Sequence, residues 1–175
     1  MDFRSLKEFV VDSIKYIILT VGIFLIVLYI CSLQQIVGPS MEPNLNNENV
    51  LLINKLVFKF RKPARFEIIT FTHDDGSFLV KRIIGLPGDT LFYKDNALFI
   101  NGTLFEESFL TDVITEDFSL KDLGYEIIPD DMYFVLGDNR NNSLDSRHFG
   151  LIEKKQFIGK PFLKIFPFKE IHLIK

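Results

Sequence analysis

The chain has 175 residues, which is about the length of one domain with an appendage. Its formal net charge is only −3, so nothing in its charge points to nucleic-acid binding. The single cysteine, Cys31, excludes an internal disulfide. Phenylalanine is abundant (19 residues) and tryptophan is absent, a composition that favours a β-rich core but indicates no activity.

The first strong pattern is an apolar segment at residues 16–33, YIILTVGIFLIVLYICSL, which has no charged residue and no proline. Its length suits a membrane span, for which about 18 apolar residues are needed. A cleaved signal peptide would have a shorter apolar core and a small-residue cleavage site, and no convincing site follows here. A buried helix of a soluble protein is the other alternative. We predict an uncleaved transmembrane anchor at residues 16–33.

The charges around this segment predict its orientation. Three basic residues precede the span: Arg4, Lys7 and Lys15. The next one is Lys55. By the positive-inside rule, residues 1–15 are expected in the cytoplasm and residues 34–175 outside the cell membrane. The basic run at residues 59–62 could contact anionic head groups of the lipid bilayer, although such runs are more often ordinary solvated surface.

Beyond the anchor the pattern changes to short strands separated by turns. Segments rich in Ile, Val, Phe and Tyr predict strands at residues 49–58, 66–71, 77–84, 90–100, 125–129 and 132–136, with one or two more in 155–168. Two short sequences are typical of hairpin turns: KDNA at 94–97 and NG at 101–102. Residues 104–124 are acidic and poorly patterned, and we expect an exposed insertion there. The predicted fold class is mostly β: one N-terminal transmembrane helix followed by a domain of coiled antiparallel β-sheets.

The most unusual stretch is GDNRNNSLDSRHFG at residues 137–150, a long polar segment that directly follows an apolar strand. Gly, Asn, Asp and Ser are typical of turns, so a solvated loop is one interpretation. The alternation of charges of both signs favours a second one, an internally paired polar network that positions a functional group.

Three residues are candidates for nucleophilic chemistry. Ser40 lies in VGPSMEPNL, where prolines on both sides favour an irregular, extended backbone, although a turn serine is the simpler interpretation. A serine nucleophile needs a base, and His148 is the one histidine placed in the polar segment. Lys81 is the other option, because strand alternation puts it on one face with Leu79 and Ile83, where desolvation would lower its pKa.

Metal chemistry is not supported by the spacing of the possible ligands. Residues 138–149 begin like a calcium loop, but Arg140 takes a ligand position, Ser143 replaces the required Gly, and Phe149 takes the position of the closing Glu. The HDDG sequence at residues 73–76 has no second cluster with ligand spacing. We therefore expect no metal ion and no cofactor.

Taken in order, several segments resemble the bacterial type I signal peptidases, the Ser-Lys leader peptidases of the membrane. They are the apolar anchor, GPSMEP, FEIITF, KRIIGLPGD and GDNRNNSLDSRHFG. The resemblance covers most of the chain after residue 16, and its last two motifs are long and specific. It implies a serine endopeptidase that removes signal peptides from exported preproteins, with small side chains at the first and third positions before the cut.

The resemblance also implies roles for individual residues. Ser40 matches the nucleophile, Lys81 the general base and Ser143 the serine that orients the lysine. Asp145 and Arg147 match a carboxylate and a guanidinium that hold the polar segment near the site. His148 is then not catalytic.

The chain departs from the family pattern in three places. Gly38 stands where some members have a serine that helps to bind the oxyanion, so backbone N–H groups would take over that function. Phe66 and Glu67 stand where many members have Gly-Asp, which puts no catalytic residue in doubt. The chain also lacks the large second β-domain of longer members.

Two other functions remain open on the sequence. One is a Ser-Lys self-cleaving regulator, against which the membrane span and the lack of an N-terminal DNA-binding segment argue. The other is a membrane-anchored, non-catalytic β-domain that binds a partner at the cell surface.

Overall fold

The computed structural model describes residues 3–110 and 113–174. It opens with helix α1, Phe3–Ile30, whose apolar side chains are exposed from Phe9 onward. Within the described residues, one helix is long and apolar enough to cross a membrane, over Lys7–Ile30. This helix contains residues 16–30 of the predicted span, whereas residues 31–33 belong to the first strand.

The chain divides into two compact units, a helical one that ends at Ser32 and a β-rich one that begins at Leu33. The strands are β1 (Cys31–Gln35), β2 (Val50–Asn54), β3 (Ile68–Thr72), β4 (Phe78–Gly85), β5 (Leu91–Lys94), β6 (Ala97–Ile100), β7 (Thr103–Phe105), β8 (Phe118–Ser119), β9 (Met132–Leu136), β10 (Ile152–Glu153), β11 (Phe157–Phe166) and β12 (His172–Leu173). Two short α-helices lie between them: α2 (Val57–Phe60) and α3 (Ser146–Phe149).

The larger sheet has the strand order β1-β2-β11-β3-β4-β9-β10, and β12 pairs with β11 beside this path. A smaller sheet has the order β7-β6-β5-β8. The pairings among β2 to β12 are antiparallel. The long strand β11 shifts register twice along β2 and once along β3, and such irregularities bend a strand and coil its sheet. The prediction of a mostly β fold with coiled antiparallel sheets is confirmed.

The two predicted hairpin turns are confirmed in the smaller sheet. Asp95 and Asn96 both have positive φ between β5 and β6, and Asn101 and Gly102 do so between β6 and β7. Consecutive positive φ angles match the right-handed twist of the paired strands, which is why Asn, Asp and Gly are found there.

Two strand predictions fail for local reasons. The predicted strand at 49–58 ends at Asn54, whose Oδ1 accepts hydrogen bonds from the backbone N–H groups of Leu56 and Val57, and the chain turns into α2. Residues 125–129 form no strand. Ile128 is buried and bonds through its backbone to Gly88 and Asp89, but the proline that follows it has no N–H to continue a ladder.

The prediction of an exposed insertion at residues 104–124 is wrong in part. Thr115 and Leu120 are buried, and the segment supplies β8 and a 3₁₀ turn at Leu120–Leu123. Two of its polar residues, Glu107 and Thr115, contact the buried Arg140, whereas Glu106, Glu116 and Asp117 are exposed.

Candidate active site

Lys81 lies on the central strand β4, between β3 and β9. It pairs with Ile69 on β3. On the other side, Arg82 pairs with Leu136 and Ile83 with Val135, so the same register continued by one residue sets Lys81 opposite Gly137. Opposed residues project from the same face of a sheet. The Lys81 side chain therefore points in the direction in which a Gly137 side chain would point.

That direction leads to the two serines singled out in the sequence. A Cβ atom added to Gly137 would clash with the Oγ and Cβ atoms of Ser143 and with the carbonyl oxygen of Ser40. Gly137 must therefore be a glycine for the three segments to approach this closely. The fold brings Lys81, Ser40 and Ser143 to one place, although 103 positions in the numbering separate Ser40 from Ser143.

Lys81 is buried, with 2% of its surface exposed. Its stem lies beside an apolar cluster that contains Ile69 and Ile83, and the predicted alternation along β4 is confirmed. Burial lowers the pKa of the Lys81 ammonium to about 8, an effect that the charges of Asp145 and Asp138 partly oppose and that of Arg147 supports. About a tenth of this amine is therefore neutral at pH 7, whereas a lysine with the ordinary pKa of 10.5 would be almost fully protonated.

The polar segment is an internally paired network rather than a solvated loop. Asp145 and Arg147 form a two-point ion pair, with Oδ1–Nε and Oδ2–Nη2 distances of 2.9 Å each. Asp145 also accepts a hydrogen bond from the Gly137 N–H at 3.1 Å, and its side chain accepts one from the Arg147 N–H that starts α3. The Asp145–Arg147 pair thus fixes the backbone of Gly137, which lies between Ser40 and Ser143.

The Ser40 segment is held to the polar segment through its backbone. Asn139 donates from its N–H to the Ser40 carbonyl at 3.1 Å and from its amide to the Pro39 carbonyl at 3.2 Å. Met41 is fully buried and anchors the turn in an apolar cluster. Ser40 itself remains partly exposed.

A second buried ion pair had not been predicted. Arg82 contacts Asp138 at two points, Nε–Oδ1 at 2.8 Å and Nη2–Oδ2 at 2.6 Å, with both side chains almost fully buried. Asn44 donates to the same Asp138 carboxylate at 2.9 Å. The alternation along β4 had placed Arg82 on the other face of the strand from Lys81. It did not indicate Asp138 as the partner of Arg82, because the two residues are 56 positions apart.

Gly38 lies near the site but its N–H group is occupied. It has a φ of 91°, a left-handed value that favours glycine, and its N–H donates to the side chain of Asn47 at 2.8 Å. The backbone donors expected to replace a serine at this position therefore do not include that of Gly38.

The other predicted alternatives find little support. The His148 side chain is 56% exposed, and its Nδ1 lies 3.9 Å from Asp145 Oδ1. Among the described residues, no group of three or more His, Cys, Asp or Glu side chains is arranged to hold a metal ion.

Comparison with known proteins agrees with these features. The model of the family described as "Signal peptidase, peptidase S26" matches residues 8–166. Signal peptidase I V of Bacillus subtilis (strain 168) is 45% identical over 131 residues, 70% of this chain and 78% of that protein. Signal peptidase I of Bacillus caldolyticus is 39% identical over 152 residues, 82% of this chain and 84% of that protein.

A solved structure shows the same similarity. The crystal structure of a signal peptidase I from Enterococcus faecalis V583 superposes with a TM-score of 0.54 at 40% identity, and covers 57% of this chain and 97% of the solved one. The range matched by the family model, residues 8–166, contains Ser40, Lys81 and Ser143. The chain belongs to the signal peptidase family, peptidase S26.

Proposed function

We propose that this protein is a membrane-anchored serine endopeptidase that removes signal peptides from exported preproteins, with Ser40 as nucleophile and Lys81 as general base. The observation that carries the proposal is that three residues meet at Gly137. They are the partly exposed Ser40, the buried Ser143 and the buried Lys81, whose pKa is lowered. The family assignment supplies the substrate class.

The chemistry follows from the protonation state of Lys81. The neutral amine takes the proton of the Ser40 hydroxyl as Oγ attacks the scissile carbonyl. The resulting ammonium gives a proton to the leaving amine, and the acyl-enzyme forms on Ser40. Lys81 then activates a water molecule that hydrolyses this ester and frees the enzyme.

Ser143 is suited to orient the lysine. Its Oγ is buried and has no hydrogen-bond partner within the described parts of the chain. A buried hydroxyl without a partner costs free energy, so a donor is expected to approach it during the reaction. The ammonium of Lys81 is that donor in our proposal, and the bond holds the amine towards Ser40.

The oxyanion requires donors that are free in the resting enzyme. The Ser40 N–H has no acceptor in the part of the chain that the structure describes, whereas the Gly38 N–H donates to Asn47. We assign the Ser40 N–H as one oxyanion donor. Shallow subsites that exclude large side chains would select preproteins with small residues before the cut.

The proposal includes a location. Residues 1–15, which include the start of α1, lie in the cytoplasm, the apolar remainder of α1 crosses the lipid bilayer once, and residues 34–175 lie outside it, as the basic residues before the span indicate. The nucleophile follows the end of α1 by ten residues, which keeps it close to a signal peptide that leaves the bilayer.

The test is cleavage of a preprotein by the full chain in detergent. Ser40→Ala and Lys81→Ala are expected to lower the rate by about 10³-fold or more, as for members of one catalytic unit. Ser108→Ala and Lys94→Ala, which remove an exposed serine and an exposed lysine, serve as matched controls. If the unsubstituted chain cleaves no preprotein, a non-catalytic domain that binds a cell-surface partner becomes the better assignment.

A further inference from the structure

Arg140 is a fully buried cation outside the set of residues to which the sequence assigned a role. Its side chain is 0% exposed and pairs with Glu107, with an Nη2–Oε1 distance of 2.5 Å. Its Nη1 donates to the hydroxyl groups of Tyr93 and Thr115, at 2.9 Å each. The Tyr93 hydroxyl in turn donates to Glu107 Oε1 at 2.9 Å, which closes the cluster.

The partners of Arg140 come from a different part of the fold. Tyr93 lies on β5 of the smaller sheet, and Glu107 and Thr115 lie in the 104–124 insertion. A buried ion pair is a weak source of stability, because desolvation of two charges offsets most of their attraction. A cluster of this kind is therefore better explained by the geometry that it imposes.

The other end of Arg140 reaches the candidate active site. Its Nε donates to the Gly137 carbonyl at 3.0 Å, and its own carbonyl accepts from Arg147 at 2.6 Å. The Gly137 N–H is held by Asp145. The backbone of Gly137 is thus fixed from both sides, by Arg140 at its carbonyl and by Asp145 at its N–H.

We propose that Glu107, Tyr93 and Thr115 are positioning residues for signal-peptide cleavage: they lock Arg140, which clamps Gly137 and so sets the spacing between Ser40, Ser143 and Lys81. This inference rests on the proposed function of the site. It gives Tyr93 of the smaller sheet, and the segment that follows β7, a task in positioning the catalytic residues.

The physical basis is the cost of an unpaired buried charge. Without the Glu107 carboxylate, the Arg140 guanidinium has no counter-charge in its cluster and turns towards water or another acceptor. The Gly137 carbonyl then loses its donor, and the contacts of Gly137 with Ser40 and Ser143 loosen. Displacements of about 1 Å in a catalytic constellation lower the rate up to about 100-fold.

The test compares Glu107→Gln with Glu106→Gln in the full chain in detergent. Glu106 is adjacent, exposed and of the same chemistry, so its substitution is the matched control. Rates are normalised to the folded fraction, measured by circular dichroism at the assay temperature. We expect Glu107→Gln to lower kcat between about 10- and 100-fold with KM changed less than about twofold, and Glu106→Gln to leave both unchanged.

A second, milder variant keeps the proposal testable if Glu107→Gln does not fold. Tyr93→Phe removes one hydroxyl and is expected to lower kcat, but by a smaller factor than Glu107→Gln does. The acid limb of the plot of kcat against pH is expected to move to higher pH in both variants. Water that reaches Lys81 would raise its lowered pKa towards the ordinary value.

The proposal is overturned if the folded variants keep the kcat and pH profile of the unsubstituted chain and lose only thermal stability, or if KM alone rises. Failure of the proposed function looks different, because the unsubstituted chain would then cleave no preprotein at all.

Discussion

Lys81 is subject to two opposing requirements. Catalysis needs a neutral amine near neutral pH, and folding has to bury a side chain that is charged in the unfolded chain. Burial lowers the pKa of Lys81 from 10.5 to about 8, so the folded protein binds fewer protons than the unfolded one between these values. The free energy of unfolding therefore rises with pH across that interval, and below about pH 8 the burial of Lys81 lowers stability by its full amount.

Removal of the amine is expected to stabilise the protein while it abolishes activity. Lys81→Met keeps most of the side-chain volume and should raise the stability at pH 7 by about 1–3 kcal/mol, the free energy equivalent of the lowered pKa after relaxation. Thermal unfolding of the full chain measures this gain. It is expected to shrink as pH rises towards 10.5, and the exposed Lys94→Met should show no such dependence.

Gly137 gives a second prediction at the scale of a residue. An added methyl group meets Ser143 and the Ser40 carbonyl, so Gly137→Ala is expected to force these groups apart and to lower kcat by about 100-fold. Preprotein cleavage measures the effect. Gly22→Ala is the control, because a Cβ atom at Gly22 meets nothing within 4 Å. Equal activity of the two variants would refute the close approach at Gly137.

Ser40, Lys81 and Ser143 were identified by resemblance, and the role of each remains a proposal. Alternation along β4 correctly put Lys81 among apolar side chains. The partners of Arg82 and Arg140 could not be predicted, because an ion pair between residues 56 or 33 positions apart depends on sheet pairing that local pattern does not encode.

At the scale of elements, polar side chains set where strands begin and end. Glu67 joins three elements: it accepts from Arg61 after α2, from Lys160 on β11 and from the Ala64 N–H before β3. Burial alone would raise its pKa, but these hydrogen bonds and charges outweigh burial and lower the pKa to about 2.

Acid stability is expected to depend on this carboxylate. Its contribution is complete above the ordinary value of 4.5 and is lost as pH falls towards 2. Glu67→Gln is therefore expected to lower the stability at pH 7 by about 1–3 kcal/mol, and by much less at pH 2. Thermal melts at the two values measure the difference. An equal loss at both would show that packing, rather than charge, is the contribution of Glu67.

Strands were predictable from composition where their surroundings are ordinary. β3, β4 and β9 lie close to the predicted bounds because apolar residues on both faces are buried by neighbours. The end of β2 was missed because one side chain, that of Asn54, caps the next turn. The buried part of the 104–124 insertion was missed because exposed acidic residues interrupt it. Leu120 nevertheless lies in an apolar core cluster, and Thr115 contacts the buried Arg140.

At the scale of the whole molecule, the proposed location of the site rests on the apolar helix and on the charges that flank it. Arg4, Lys7 and Lys15 precede the span, and the proposed orientation depends on them. In intact cells of a bacterial host with a permeable outer layer, added protease is expected to digest the β-rich unit. In inverted membrane vesicles the same unit should be protected. Replacement of the three basic residues by Gln is expected to weaken this asymmetry, and protection in intact cells would refute the orientation.

The central claim is that neutral, buried Lys81 is the base for Ser40, and its most direct test is the titration of Lys81 itself. NMR of the full chain with labelled lysine Nζ, assigned by the loss of one signal in Lys81→Met, gives this pKa. The acid limb of kcat/KM for preprotein cleavage gives the pKa of the catalytic base. We predict that both lie at about 8. The account is contradicted if Lys81 titrates near 10.5 while the acid limb lies well below that value and is lost in His148→Ala.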